Sequence, residues 1–251
     1  MPDNFFEHIY SKYNTAEYIK TDPILFPHTL EGNTEFIAFT AALFAYGNVK
    51  AMQKFLYAFF DSCGTDPYTL KPNPDRLKYR FQTVNDVEAY CNAMKRIYND
   101  HGSLEKLFAN GALEAFNIIR SNYFDTLTPG IKFLFAIPEK SASKRLWMFL
   151  RWMIRKDDVD LGLWMNYNAM DLNFPLDTHV HRMSVSLKII TQNESGVKAR
   201  EKINSYFRKL SPLDPVKYDF ALTRLGIAHK CQYEPSERCA KCAEYGICKF
   251  C

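Results

Sequence analysis

The chain has 251 residues, 47% apolar and 24% charged, with a formal net charge of +4. These values fit a soluble folded globule with one large core, or two smaller units sharing a core. No apolar run approaches the roughly 20 residues that cross a bilayer, which excludes a membrane-spanning role, and the polar start Met1-Pro2-Asp3-Asn4 lacks the pattern of a signal peptide, so a cytoplasmic protein is expected.

Apolar residues recur with helical spacing almost throughout. A first helix is expected over 4–13. Thr34 is a candidate cap for a helix running from Glu35 to Tyr46, apolar nearly all round and therefore central, with Gly47 ending it. Val49, Met52, Phe55, Leu56, Phe59 and Phe60 form one apolar stripe. Val84, Val87, Tyr90, Cys91, Met94, Ile97 and Tyr98 form a second. Further helices are expected over 103–120, 129–136, 144–156, 178–191, 197–210 and 215–228, the last opened by Asp214 as cap and Pro215 at the first helical position. Loops fall at 61–80 and 157–176. Alternating runs joined by Asn-Gly or Asp-Gly turns are missing, and there are no repeats. The expected fold is all-α, with about ten helices.

Charge is unevenly placed. Residues 1–140 carry 14 Lys and Arg against 16 Asp and Glu, whereas residues 141–251 carry 18 against 12. The second part therefore suits a polyanion such as DNA, or is simply a solvated basic face. It also holds the chemically distinctive segments. Ser141-Ala142-Ser143-Lys144-Arg145-Leu146-Trp147 opens an amphipathic helix in which Trp147, Leu150 and Ile154 face the core. Pro175-Leu176-Asp177-Thr178-His179-Val180-His181-Arg182 marks a loop passing into a helix 33 residues beyond Lys144. Asp177 reads either as an ordinary helix cap or as a carboxylate held ionised by the helix dipole. Lys144 reads either as a solvated first-turn lysine or as a nucleophile.

The Asp177 segment resembles the catalytic-aspartate segment of the helix-hairpin-helix DNA glycosylases, the superfamily of endonuclease III, where Val-Asp-Thr-His-Val-x-Arg-Val recurs. The glycine-rich hairpin found before the lysine in endonuclease III is missing, and Gly162 is the only glycine between Lys144 and Asp177. In this respect the chain is similar to the archaeal 8-oxoguanine glycosylase branch, and over about 141–230 to an uncharacterised bacterial family placed near it. The resemblance implies a two-lobed helical glycosylase fold. Residues 31–174 would form a central lobe that includes the lysine helix, and residues 1–30 with 175–251 a second lobe, with the active site between them. It also implies a bacterial cytosolic enzyme, a monomer acting on double-stranded DNA that carries a damaged base or an abasic site. An oxidised purine such as 8-oxoguanine is the leading substrate. Lys144 would form a Schiff base with the sugar and Asp177 would be the catalytic carboxylate. His179 and Arg182 are candidate substrate contacts, with Arg145 and His181 as further neighbouring cations. Tyr46 and Asn48 are candidates for filling the gap left by an extruded base, the alternative being a plain inter-helix turn. Two other readings are open: a non-catalytic DNA-binding protein of the same fold, and a monofunctional glycosylase in which Asp177 activates water.

Five of the seven cysteines lie in the last 21 residues, as Cys231-x7-Cys239-x2-Cys242-x5-Cys248-x2-Cys251. Such crowding in a reducing compartment calls for metal ligation rather than disulfides. The spacing is similar to the six-two-five cluster loop of endonuclease III-like enzymes. It implies a [4Fe-4S] cluster on Cys231, Cys239, Cys242 and Cys248, with Zn on four cysteines as the alternative. Cys251 would replace one ligand or stay unligated.

Overall fold

The computed structural model describes residues 4–250, and Cys251 lies outside them. The protein is mostly helical: α1 (Asn4–Tyr13), α2 (Leu25–Thr29), α3 (Thr34–Leu43), α4 (Val49–Cys63), α5 (Val84–His101), α6 (Leu104–Leu107), α7 (Ala112–Asn122), α8 (Pro129–Leu134), α9 (Lys144–Ile154), α10 (Thr178–Ser186), α11 (Gly196–Leu210) and α12 (Asp219–Ala228), with four short 3-10 turns. Among the described residues only two isolated β-bridges occur, Tyr79 with Gln82 and Lys156 with Leu161. No helix among them is long and apolar enough to cross a membrane.

The chain divides into two compact units. One comprises Met1–Tyr18, Ala142–Gly162 and Tyr167–Cys251; the other comprises Ile19–Ser141 and Leu163–Asn166. This differs from the sequence-based boundaries, which put the lysine helix in a lobe of 31–174. The physical reason is a pair of arginines one turn apart on α9. Arg151 Nε donates to Asp160 Oδ1 at 3.1 Å, and its Nη1 to Asp219 at the start of α12. Arg155 Nε donates to both oxygens of Asp214 at 2.9 and 3.0 Å, and its Nη1 pairs with Asp157 at 2.9 Å and with Asp160. Both arginines are buried. Burial alone works against the charge on Arg155, but Asp160, Asp214 and Asp157 overcome it and raise its pKa. Removing one member leaves the others buried and uncompensated, which typically costs about 3–5 kcal/mol. Arg151→Ala is therefore expected to destabilise the protein by about that amount, read as a lower urea midpoint.

The unit built around 19–141 places α3 at its centre. Phe36, Ile37, Ala38, Phe39, Ala41 and Ala42 are all fully buried, as the all-round apolar sequence requires. Asn33 rather than Thr34 caps α3, its side chain accepting from Phe36 N at 2.9 Å. α5 has a full capping box between Thr83 and Asp86. The expected helix over 103–120 is broken at Gly111, which adopts φ 127° between α6 and α7. Between α4 and α5 the chain makes a tight turn. Tyr79 and Gln82 exchange backbone hydrogen bonds of 3.0 and 2.8 Å, with Arg80 and Phe81 at the tip. Arg80 has φ 50°, a left-handed conformation disfavoured for residues with a Cβ.

In the other unit α1 packs along α12. Glu7 on α1 accepts from Lys217 Nζ at 2.8 Å and from Tyr218 Oη at 2.6 Å. α12 begins at Asp219, four residues later than Asp214-Pro215 predicts, because Asp214 is engaged by Arg155 and residues 214–218 form turns.

Candidate active site and cysteine loop

Lys144 opens α9 directly after Ser143, whose backbone is left-handed with φ 49°. Asp177 stands at the N-cap of α10, its Oδ1 accepting from Val180 N at 2.8 Å. The second oxygen, Oδ2, lies 4.0 Å from Lys144 Nζ, and the two side chains keep 23% and 32% of their exposure. One carboxylate oxygen thus holds the helix start while the other faces the amine. At 4.0 Å the contact is an ion pair rather than a hydrogen bond.

Around this pair the surroundings are polar and partly buried. Burial raises Asp219 to about 7; Arg151 beside it lowers it, and the Asp177 carboxylate raises it further. Burial lowers the pKa of His179, Asp177 opposes that, and the charges of Arg182, Arg224 and Lys144 reinforce it. His179 Nδ1 is buried and makes no hydrogen bond to the protein. A Cβ at Gly226 on α12 would lie 2.1 Å from that atom and 2.6 Å from Tyr233 Oη. Glycine in the middle of α12 is thus what lets the imidazole and the phenol pack against the helix.

An open groove of about 510 Å³ runs past Asp177. Ala142, Thr178, His181, Arg182, Ser195 and Gly196 line it with others. The starts of α10 and α11 therefore meet at one surface, each presenting the positive end of a helix dipole, an arrangement that favours anions, with Ala142, two residues before α9, beside them. Of the sequence-predicted cations, His181 Nε2 donates to Glu194 O at 2.8 Å, and Arg182 is exposed and donates to Gln232 Oε1 at 2.8 Å. Arg145 is half-buried next to Lys144. Ser195 and Gly196 were not singled out from sequence. The Ser-Gly dipeptide before the amphipathic α11 was the available signal.

Tyr46 and Asn48 belong to the unit built around 19–141. Asn48 caps α4, its Oδ1 accepting from Lys50 N at 2.9 Å and Ala51 N at 3.3 Å. Tyr46 is half-buried, its hydroxyl donating to Gln82 Oε1 and its ring packed between Tyr79, Phe81 and Phe133.

Cys231, Cys239, Cys242 and Cys248 all line one cavity of about 250 Å³ beyond the end of α12. None is in a disulfide. The loop is held at several points. Glu244, buried, accepts from Lys12 Nζ and Tyr13 Oη at 2.6 Å each and contacts His8 Nε2 at 2.8 Å, all three on α1. Cys231 Sγ accepts from Tyr233 N at 3.2 Å and Cys248 Sγ from Phe250 N at 3.4 Å. Burial pushes the Cys231 thiol up, the Tyr233 N–H pulls it down, and the three neighbouring cysteines push it up again. Among the described residues, no three His, Cys, Asp or Glu side chains converge closely enough to hold one metal ion. The four cysteines line this one cavity together, and two of them accept backbone N–H···S bonds.

The profile of one protein family matches residues 22–228, and that family is described as "Protein of unknown function (DUF2400)". No curated protein and no solved structure matches the chain.

Proposed function

The chain belongs to the DUF2400 family, and from its own residues we propose that it is a base-excision DNA glycosylase with abasic-site lyase activity, built on a helix-hairpin-helix glycosylase fold and acting on an oxidised purine such as 8-oxoguanine. The observation that carries this reading is the Lys144 amine and the Asp177 carboxylate, 4.0 Å apart at the starts of two helices. A glycosylase with lyase activity needs a nucleophile and an acid–base group together, and these two residues supply both.

In this reading the lone pair of Lys144 Nζ forms a bond to C1′ of the damaged nucleotide. The glycosidic bond breaks and its electron pair leaves with the base. Asp177 offsets the positive charge that develops on the sugar and takes the proton that the amine gives up. Opening of the C1′–O4′ bond, with O4′ gaining a proton, leaves an imine between Lys144 and C1′. Loss of a proton from C2′ then expels the 3′ phosphate with the C3′–O electron pair. Water finally releases the lysine. The groove beside Asp177, with two helix starts at its edge, suits the flanking phosphates. The basic balance of 141–251 supports the same partner.

We assign Cys231, Cys239, Cys242 and Cys248 as ligands of a [4Fe-4S] cluster that holds the loop together. When bound, such a cluster supplies four thiolate cross-links at one point and no step of the base removal. The isolated protein is expected to be yellow-brown, to absorb broadly near ~400 nm and to carry about four irons per chain. One zinc per chain and a colourless solution would replace the cluster with the four-cysteine zinc site.

The test of the function is reductive trapping. Borohydride added to the protein on a duplex with a single abasic site should yield a covalent protein–DNA adduct, because only an imine is reduced to a stable link. Binding of the duplex without any adduct would leave a non-catalytic DNA-binding protein in place of the enzyme.

A further inference from the structure

The tip of the turn between α4 and α5 shows a ring to solvent that the rest of the unit holds rigidly in place. Phe81 is 53% exposed. Its ring is parallel to Tyr46 to within 16°, with centroids 6.1 Å apart, and packs on Phe133 at 4.6 Å. The guanidinium of Arg80 lies 5.6 Å from its centroid. On either side of the tip the turn is anchored. Tyr79 and Gln82 are buried, Gln82 Nε2 donates to Gly130 O at 2.9 Å, and the Tyr79 hydroxyl donates to Tyr46 O. Gly47 has φ 85°, a backbone conformation that favours glycine, and lies against the Arg80 side chain. Turn positions of this kind favour glycine or asparagine, yet this one carries arginine and phenylalanine. Lys78 and Arg80 are exposed on the turn itself, Lys132 is exposed next to Phe133, and Lys50 is exposed in the first turn of α4 after Gly47.

An exposed aromatic ring packed from below, with a guanidinium beside it and exposed lysines on the same turn and the neighbouring helix starts, matches one ligand chemistry: a flat π-system attached to a negatively charged backbone. We infer that the Arg80–Phe81 turn is a stacking platform for an unstacked base of a DNA strand, with Arg80, Lys78, Lys50 and Lys132 taking the adjoining phosphates. Tyr46 then acts as the support beneath the platform. The inference rests on the nucleic-acid part of the proposed function and not on its chemistry.

The experiment compares wild type, Phe81→Ala and Phe81→Trp by fluorescence anisotropy, with a short oligothymidylate, a base-free backbone of the same length, and a blunt duplex. Phe81→Ala should weaken oligothymidylate binding roughly tenfold, the scale of one base–aromatic stack. Phe81→Trp should keep it, and binding of the base-free strand should be the same in all three proteins. The exposed position leaves folding of each variant intact, checked by its melting temperature. Equal affinity of wild type and Phe81→Ala for oligothymidylate overturns the inference, as does a loss that is just as large on the base-free strand, or no binding of oligothymidylate by wild type. Borohydride trapping is read separately. Failure of trapping with a Phe81 effect intact sinks the enzyme and leaves the platform standing.

Discussion

Lys144→Gln is expected to abolish the borohydride adduct and strand cleavage while binding of damaged duplex stays within a few-fold of wild type. Glutamine keeps much of the length of the side chain and its polarity, but its amide nitrogen has no available lone pair to attack C1′. The position tolerates the change: Lys144 is half-buried, in the first turn of α9, and its contact with Asp177 is a 4.0 Å ion pair open to solvent. Pairs of that kind contribute about 0–1 kcal/mol, so the melting temperature should hardly move and a total loss of trapping is a loss of chemistry. If the variant still forms an adduct, another amine is the nucleophile and the site is misassigned. If trapping is lost but slow base release persists, Asp177 activates water and the enzyme is monofunctional at heart.

Asp177→Asn separates the two jobs of that residue. Asparagine caps helices about as well as aspartate, so the bond to Val180 N, now 2.8 Å, survives. The charge facing Lys144 does not. Base release should slow by about 10²–10⁴-fold, the usual cost of a lost acid–base group, with folding stability near wild type. Asp177→Ala removes the cap as well and should lose about 1 kcal/mol of stability in addition. Single-turnover release of 8-oxoguanine from a labelled duplex measures the first effect and a thermal melt the second. Unchanged release by Asp177→Asn would reduce Asp177 to a cap.

The elements with strong periodicity were legible in the sequence. The stripes from Val49 to Phe60 and from Val84 to Tyr98 became α4 and α5, and the Lys144 and Asp177 helices start where their segments indicate. Local signals failed where a distant partner took over. Asp214 reads as a cap, but Arg155, 59 residues away in sequence, claims its carboxylate. Arg151 and Arg155 look like the polar edge of an amphipathic helix. Their burial follows from Asp157 and Asp160 just past the helix and from Asp214 and Asp219, and these last two no window around α9 contains. α2 escaped because it is short and carries Pro27 in its middle. In the site, Lys144 and Asp177 could be named from their segments, whereas the start of α11 at the same groove and the Gly226–His179 packing depend on how helices meet. Asn48, named as a candidate for insertion, is occupied in capping α4. Phe81, an exposed aromatic at the tip of a turn, carried no periodic signal at all.

The division of the chain has a consequence for how the protein comes into being. One unit is nearly a continuous stretch, 19–141, and all but four of its residues have been joined to the chain before Lys144 is added. The other is assembled from three stretches, and α1, synthesised first, has its partners at the far end: Tyr13 and His8 meet Glu244 across 231 and 236 residues. During synthesis α1 must wait with Phe5, Phe6 and Ile9 unburied, while its neighbour unit is free to fold. Contacts of such long range make for slow closure. Lys144, Asp177 and the four loop cysteines all lie in the late-forming unit, so a nascent or truncated chain can be half folded while it still lacks the whole of the proposed site.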